Sequence, residues 1–525
     1  MRSIKALGQI ILIIFFYSFS PIVAQEADTS VFQVVDESNK RPIVFATVIL
    51  LNSMVGVISD ENGNFRIPVK FLTQDESLRI SCIGYETRIF EVGELQPLKT
   101  NVLTLMQKLE SLDEIVLKTG KKEKRYGARK IVRLAINNIP TNYPIEPFGH
   151  IAYYRDYQKI VDAHELEDEH PLKTASYVNL NEGIIKVFDA GFGTNKFYDS
   201  SNQAALIQYD LNRNFVIDSL LAVPYDNYNV KYLKGVTLSP LGGNELYLLS
   251  IGNCIRNYNQ NSFSFVGVMN KDFVKQHSFW IDKIVFLDDE PIYKIDFISS
   301  IQGMDRYFKG NGSIYIGKYD FGIHRLNYTT KDVRSKSILY EVNVEYKKLN
   351  DKYYLNYLTF NNFFDVKHED IFRVEDLVYH FDSNSFQVFF NRKIDPNTID
   401  NTGRTIAFFY KNKKLDIKEI SYINPMVLKI KLYPFAEKID RVTIQNDIVY
   451  AIQRVSDTKG NVINEGPILT LKQFREIFVQ EVIEHLDIDT TFDFIQKNKV
   501  LSASEVNTEK EFEKYWVNSP LMESK

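Results

Sequence analysis

The 525-residue sequence predicts a mainly β protein, with two β-sandwich domains flanking a helix-plus-antiparallel-sheet domain of partial-barrel form, then a C-terminal helix and an extended arm. Three observations predict it. The chain holds 31 Tyr and 37 Phe, and flat rings pack well on a pleated surface. Short apolar runs recur between Asn, Gly and Asp turn residues. Helical spacing of apolar residues is confined to two stretches. A chain this long exceeds one core, so three or four domains are expected.

Composition and the N-terminus bound the function. A formal charge of −4 from 63 basic and 67 acidic residues leaves no electrostatic footprint for nucleic acid, and no such partner is expected. Arg2 and Lys5, the apolar run Ile10 to Phe19 and the small-residue exit Val23-Ala24 read as a secretory signal peptide over residues 1–24. Its apolar core is too short to span a bilayer. No cysteine stands at the exit, so no lipid attachment is expected there, and the mature chain is expected in the periplasm, held to a membrane only through partners. Cys82 and Cys254 fall in different domains and are read as buried single thiols rather than a disulfide.

Residues 25–117 carry the clearest pattern. Arg41-Pro42-Ile43-Val44-Phe45-Ala46-Thr47-Val48, Asp60-Glu61-Asn62-Gly63-Asn64-Phe65 and Ile83-Gly84-Tyr85 follow one another between apolar runs. This resembles the carboxypeptidase-regulatory-like, transthyretin-related domain common in envelope proteins of the Bacteroidetes, and the resemblance implies a docking sandwich without chemistry of its own. Ser59 to Asn64 offers oxygens like half of a Ca²⁺ loop but lacks the alternating ligands and distal Glu, so a hairpin turn with Gly63 at positive φ is expected. Leu112 to Leu117 resembles the strand that closes the same domain in TonB-dependent receptors. The remainder lacks the serial ten-residue strands of a transmembrane barrel, and a receptor is not expected.

Residues 118–127 form a charged linker. Ala128 to Ile139 has amphipathic helical spacing and ends at Pro140 and Pro144. It opens a domain over 128–371 with strands expected at His150–Gln158, Ala175–Val187, Ser278–Leu287, Pro291–Ile298, Gly312–Gly317, Gly322–Thr329, Ser337–Lys347 and Tyr353–Phe360. In Ser337–Lys347 the alternation puts Tyr340, Val342, Val344 and Tyr346 on a buried face and Glu341, Asn343, Glu345 and Lys347 on a wet one. A meander curling around one helix is expected. Pro291 to Phe297, Gly312 to Ile316 and Phe321 to Leu326 resemble strands of periplasmic lipoprotein-carrier half-barrels, which implies a face that accepts an acyl chain or a partner segment, unless aromatic side chains fill it. Residues 190–261 read as an insertion, rich in Asn, Tyr, Asp and Gly, and Tyr225, Asn227, Tyr228 and Tyr258 are the candidate binding residues.

Residues 372–465 form the second sandwich. Phe390-Asn391-Arg392-Lys393-Ile394-Asp395-Pro396-Asn397-Thr398 and Asp457-Thr458-Lys459-Gly460-Asn461 resemble the Ig-like repeat of bacterial surface-layer proteins, which implies a rigid spacer or adhesive platform. In the tail, 466–525, Phe474, Ile477, Phe478, Val482 and Leu486 repeat at helical spacing, so a helix is expected over Leu471–Leu486. Phe492, Phe494, Ile495, Tyr515 and Trp516 then pin an extended arm.

No catalytic constellation emerges, and no catalytic residue and no cofactor is expected. His164 and Glu167 satisfy the His-x-x-Glu of zinc peptidases, with His170 nearby. Yet 8 His and 67 acids in 525 residues yield about one such match by chance, and the flanks read as a polar loop. No Gly-x-Ser-x-Gly elbow, Walker loop or dinucleotide fingerprint is present. His277, His324, His368 and His380 stand singly in strand-like runs. The sequence therefore predicts a non-enzymatic periplasmic adaptor docking to outer-membrane assembly, transport or secretion machinery. The alternatives are a lipid- or glycan-binding carrier using the central domain and, last, a metallohydrolase built on His164, Glu167 and His170.

Overall fold

The computed structural model describes residues 29–94, 100–110, 126–162, 177–210, 215–219, 221–222, 243–261, 267–299, 308–333, 336–367, 372–400, 404–410, 413–434, 448–464 and 468–521. The expected signal peptide and most of the linker at 118–127 lie outside these. Seven short strands build the N-terminal sandwich: β1 (Thr29–Asp36), β2 (Thr47–Leu50), β3 (Gly56–Ile58), β4 (Asn64–Pro68), β5 (Ser77–Ser81), β6 (Arg88–Glu91) and β7 (Asn101–Leu105). They form sheets β4-β1-β7 and β3-β2-β5-β6. Period-two spacing drives this, since Phe32, Val34, Val48, Leu50, Phe65, Ile67, Leu78 and Ile80 all point into one core. The turn before β4 needs its glycine: Gly63 has φ +73° and a Cβ there would stand 2.5 Å from the Val34 carbonyl oxygen. The Asp60 carboxylate accepts the amides of Asn62 and Asn64 at 2.8 and 2.9 Å, so a hairpin turn uses these oxygens.

The centre of the molecule is an open sheet. After β8 (Leu109–Glu110) come helices α1 (Ala128–Asn137) and α2 (Ile139–Asn142), then β9 (Phe148–Asp162), β10 (Val178–Asp189), β11 (Gln203–Asp210), α3 (Glu245–Ile251), β12 (His277–Leu287), β13 (Glu290–Ser299), β14 (Phe308–Gly317), β15 (Ile323–Asp332), β16 (Ile338–Leu349) and β17 (Lys352–Lys367). The expected strands are present, with ends displaced by a few residues. α1 buries Ile131, Val132, Ala135 and Ile136 against the sheet, and Pro140 opens α2 rather than ending the helical stretch.

The second sandwich follows: β18 (Val374–His380), β19 (Ser385–Phe390), β20 (Ile406–Tyr410), β21 (Lys413–Leu415), β22 (Ile417–Asn424), β23 (Val427–Leu432) and β24 (Ile448–Ile452). Its sheets, β18-β19-β23-β22 and β21-β20-β24, enclose a core of their own that includes Phe386, Val388, Phe408, Leu428 and Ile430. The turn near Gly460 closes on Asp457, which accepts the amides of Lys459 and Asn461 and pairs with Arg392 at 3.1 Å.

The chain then returns as β25 (Ile468–Ile483), where the sequence predicts a helix. β25 lies between β9 and β17 in the eleven-stranded order β11-β10-β9-β25-β17-β16-β15-β14-β13-β12-β8. Its apolar residues cluster at i, i+3 and i+4 because both faces are buried: Ile477 and Val479 join the core under the helices, and Phe478 joins the core under the N-terminal sandwich. A strand covered on two sides loses the alternation that identifies strands. The central domain is thus completed by residues beyond 371, and the second sandwich is an insertion within it.

Two further expectations change. The segment 190–261 is not a simple insertion, since β11 is an edge strand of the main sheet and α3 packs on β9, β17 and β25. In β16 the buried face is as expected, but Glu345 on the other face is also buried, paired with Arg325 and hydrogen-bonded by Asn356. The N-terminal sandwich covers it.

Candidate functional site

Most sequence-predicted site residues fall where nothing is described. His164, Glu167 and His170 lie outside the described residues, as do Tyr225, Asn227, Tyr228 and His368. Tyr258 is described, and its ring packs half-buried against the core under the helices rather than forming an open contact surface. Among the described residues no group of three or more His, Cys, Asp or Glu could hold a metal ion. His277 is fully buried between the Phe273 carbonyl and the Tyr328 hydroxyl, and burial pulls its imidazole down to about 4. His324 is buried beside the Tyr353 hydroxyl at 3.1 Å. His380 is half-buried. Cys82 and Cys254 are free and buried.

The helix face of the sheet is filled by the protein's own rings. Tyr143 of the α2 end meets Phe192, Tyr346 and Tyr353 at centroid distances of 4.8, 5.0 and 5.6 Å. Its hydroxyl donates to the Ile323 carbonyl at 2.7 Å, and that of Tyr346 donates to Asn253 at 2.8 Å, so the polar tips are satisfied in the interior. Phe273, Phe279, Phe297 and Tyr328 pack together with His277 at the other end. A cavity of about 70 Å³ remains beneath α3.

The opposite face carries the most elaborate polar construction. Arg155 of β9 and Glu476 of β25 form an ion pair, each almost wholly buried. Burial works against both charges; Glu476 keeps the Arg155 guanidinium charged, and burial pushes the Glu476 carboxyl up against the pull of Arg155. The guanidinium lies 5.8, 5.5 and 5.4 Å from the rings of Tyr153, Tyr157 and Phe478. It also donates to the Asn518 carbonyl at 2.8 Å.

Through Asn518 the C-terminal arm is tied to everything around it. The Asn518 side chain accepts the Arg66 amide at 2.8 Å and donates to the Ile58 carbonyl at 3.3 Å, while Trp516 donates its indole N–H to the Arg66 carbonyl at 2.9 Å. Gln480 of β25 donates to the Trp516 carbonyl at 2.9 Å, and Ser519 donates to Glu182, which also accepts the Tyr153 hydroxyl at 2.7 Å. Phe492, Phe512, Tyr515 and Trp516 complete the apolar core shared by the arm, the N-terminal sandwich and the sheet. The aromatic anchors read from the tail therefore pin it as expected. A signal for the junction stands in the sequence: Tyr153-Tyr154-Arg155-Asp156-Tyr157 places adjacent charges inside an aromatic strand, which requires buried partners.

Beside this junction a cleft of about 620 Å³ opens between the N-terminal sandwich and the sheet. Its walls include Arg79, paired with Asp288 at 2.8 Å, together with Glu345, Lys347, Asn350 and Asn356. Burial pulls the Lys347 amine down to about 8, with Glu345 opposing.

The first sandwich is matched by a family model. Residues 33–117 match the CarboxypepD_reg-like domain. In this chain the CarboxypepD_reg-like domain is thus the part that lies over β9, β17 and β25 and closes one side of the cleft. Among curated proteins, none matches the chain. Three solved structures are similar in part: a LolA superfamily protein from Nitrosomonas europaea (10% identity, 45% of this chain, 86% of that one, TM-score 0.18), a DUF1329 family protein from Desulfovibrio piger (7%, 45%, 87%, 0.21), and a putative outer membrane lipoprotein-sorting protein domain from Vibrio parahaemolyticus (11%, 44%, 84%, 0.20). At these TM-scores they say nothing of what this chain does. No described helix is long and apolar enough to cross a membrane.

Proposed function

We propose that this protein is a non-enzymatic adaptor of the outer-membrane envelope, exported to the periplasm by residues 1–24 and docking to assembly, transport or secretion machinery there. One observation carries the reading. The face of the sheet on which a carrier would hold its cargo is occupied by Tyr143, Phe192, Tyr328, Tyr346 and Tyr353, all buried. The space left, about 70 Å³, is well below the roughly 300–1,000 Å³ of ordinary ligand sites, and a long acyl chain does not fit. The CarboxypepD_reg-like domain and the arm are locked to the opposite face through Arg155, Glu476 and Asn518, which makes a rigid platform that also carries the second sandwich. Chemical cross-linking in cells followed by purification from detergent-solubilised membranes should recover outer-membrane proteins. Recovery of none, together with co-purified lipid in native mass spectrometry, rejects the adaptor in favour of the carrier.

A second reading rests on the cleft. Its volume of about 620 Å³ lies in the range of ligand sites, and its mixed walls of Arg79, Asp288, Glu345, Asn350 and Asn356 suit a polar ligand such as a glycan better than a lipid. Binding to an array of envelope glycans, lost on Asn356→Leu, supports it.

A further inference from the structure

The cavity beneath α3 differs from the rest of the interior in its charge. Its wall is mostly apolar, built in part from Phe148, Val187, Phe192, Leu246, Leu249 and Ile477. At one side stand a single carboxylate and two cations. Asp189, at the end of β10, receives Arg256 through Nε at 3.0 Å and Nη2 at 2.8 Å, and Lys196 at 2.9 Å. Its Oδ1 also accepts the Gly191 amide at 3.0 Å. Arg256 also donates from Nη1 to the Thr194 carbonyl and from Nη2 to the Thr194 hydroxyl, both at 3.0 Å. The Arg256 side chain is 4% exposed, Asp189 4% and Lys196 16%.

The balance is one positive charge in excess, in surroundings where an uncompensated charge is costly. The excess falls on Lys196. It has three N–H donors and spends one on Asp189; the other two have no partner among the described residues. Burial lowers its affinity for the proton, and Arg256 pushes the same way while Asp189 opposes. The neighbouring imidazole of His150 is pulled down to about 3, first by burial and then by Lys196, so it does not add a second excess charge at neutral pH. Two more polar atoms of the wall, His150 Nε2 and the Tyr247 hydroxyl, are buried without a hydrogen-bond partner among the described residues.

We infer that this cavity is a binding site for a short-chain carboxylate, with the anion held by Lys196 beside the Asp189–Arg256 pair and the short apolar body packed among Phe148, Val187 and Leu249. The anion supplies the missing unit of negative charge and accepts the spare lysine donors as charge-assisted hydrogen bonds. About 70 Å³ admits a body of a few carbons and no more. This site is independent of the adaptor reading.

The test is calorimetric titration of the full-length protein with butyrate, 1-butanol and inorganic phosphate. Butyrate is expected to bind saturably with one-to-one stoichiometry. Butanol, with the same body and no charge, and phosphate, with charge and no apolar body, are each expected to bind at least about tenfold more weakly. Lys196→Met, which leaves Asp189 paired with Arg256, is expected to weaken butyrate binding at least about tenfold, while Lys196→Arg retains it within about threefold. Ala204→Leu, which keeps the cation and fills the space, is expected to abolish it, and thermal melts establish that each variant is folded. Should Lys196→Met not fold, the comparison of Lys196→Arg with Ala204→Leu decides. The inference is overturned if butyrate gives no saturable heat, if phosphate binds as well as butyrate, or if Ala204→Leu or folded Lys196→Met binds like the wild type.

Discussion

Arg155 and Asp156 are neighbours in β9 and point to opposite faces of the sheet, so one strand carries two buried charges with different consequences. Arg155 is matched by Glu476, and removing it leaves a carboxylate stranded in the interior. Arg155→Met is expected to cost about 3–5 kcal/mol in urea denaturation, and the double change Arg155→Met with Glu476→Leu to recover most of that loss, because desolvation of the surviving ion dominates. Asp156 has the Tyr154 hydroxyl at 2.9 Å, and its carboxyl is pushed up to about 7, first by burial and then by Glu245. An unfolded aspartate titrates near 3.9, so between about 4 and 7 the folded state holds more protons, and stability falls as pH rises across that window. Asp156→Asn removes this slope. The variant is expected to be more stable than the wild type at pH 8, with the gap closing towards pH 4. His150 and His277 act with the opposite sign: folded values of about 3 and 4 lie below about 6.5, so their contribution grows as pH rises to 6.5. Comparison of variant with wild type separates the two effects. Arg155 was legible as a charge needing a partner; which of 67 acids would meet it was not, because Glu476 is 321 residues away.

At the scale of elements, β25 and the arm decide how the parts hold together. β25 pairs with β9 through Phe478↔Tyr153 and with β17 through Phe478↔Tyr357, so the strand has a neighbour along both edges. Its sequence, Phe474 to Val482, has helical spacing only because side chains on both faces are apolar or paired in the interior. Arg475 illustrates this: it is fully buried, yet it reaches Glu245 at 2.5 Å and Asn362 at 2.7 Å. The arm contributes Trp516, 5% exposed, whereas Trp280 is 49% exposed. Trp516→Ala is expected to cost about 3–5 kcal/mol. In a Trp280→Phe background the emission of Trp516 reports arm release, and it should shift red in the same urea range as the loss of β-sheet circular dichroism. Release of the arm at much lower urea would show that it is not part of the shared core.

For the whole molecule, the two sandwiches differ in how they are attached. The CarboxypepD_reg-like domain shares its core with Tyr153, Tyr357, Phe478 and the arm, so removing it uncovers apolar surface over three strands, and the remainder is expected to aggregate. The second sandwich has its own core and hangs from the end of the β17–β25 pair, where Lys367 stands opposite Ile468. Replacing residues 368–467 by Asn-Gly is therefore expected to give a soluble chain with the remaining fold intact, measured by circular dichroism and a single thermal transition, since a two-residue turn suits two antiparallel strand ends. A molten or insoluble product would mean that the insertion supports the sheet as well as interrupting it.

Local chemistry was enough to determine the strand-rich class, the first sandwich with its Gly63 turn, the amphipathic α1 and the anchoring rings of the tail. Each depends on periodicity or turn geometry within about ten residues, which neighbours along the chain impose on one another. Only the tertiary structure decided that 468–483 is a strand, that it completes a sheet begun about three hundred residues earlier, and that Asp189 meets Arg256, 67 residues away. Those outcomes depend on what covers the second face of a strand and on which distant charge arrives to compensate a buried one. Both are long-range balances of desolvation and pairing, and no window of sequence contains them.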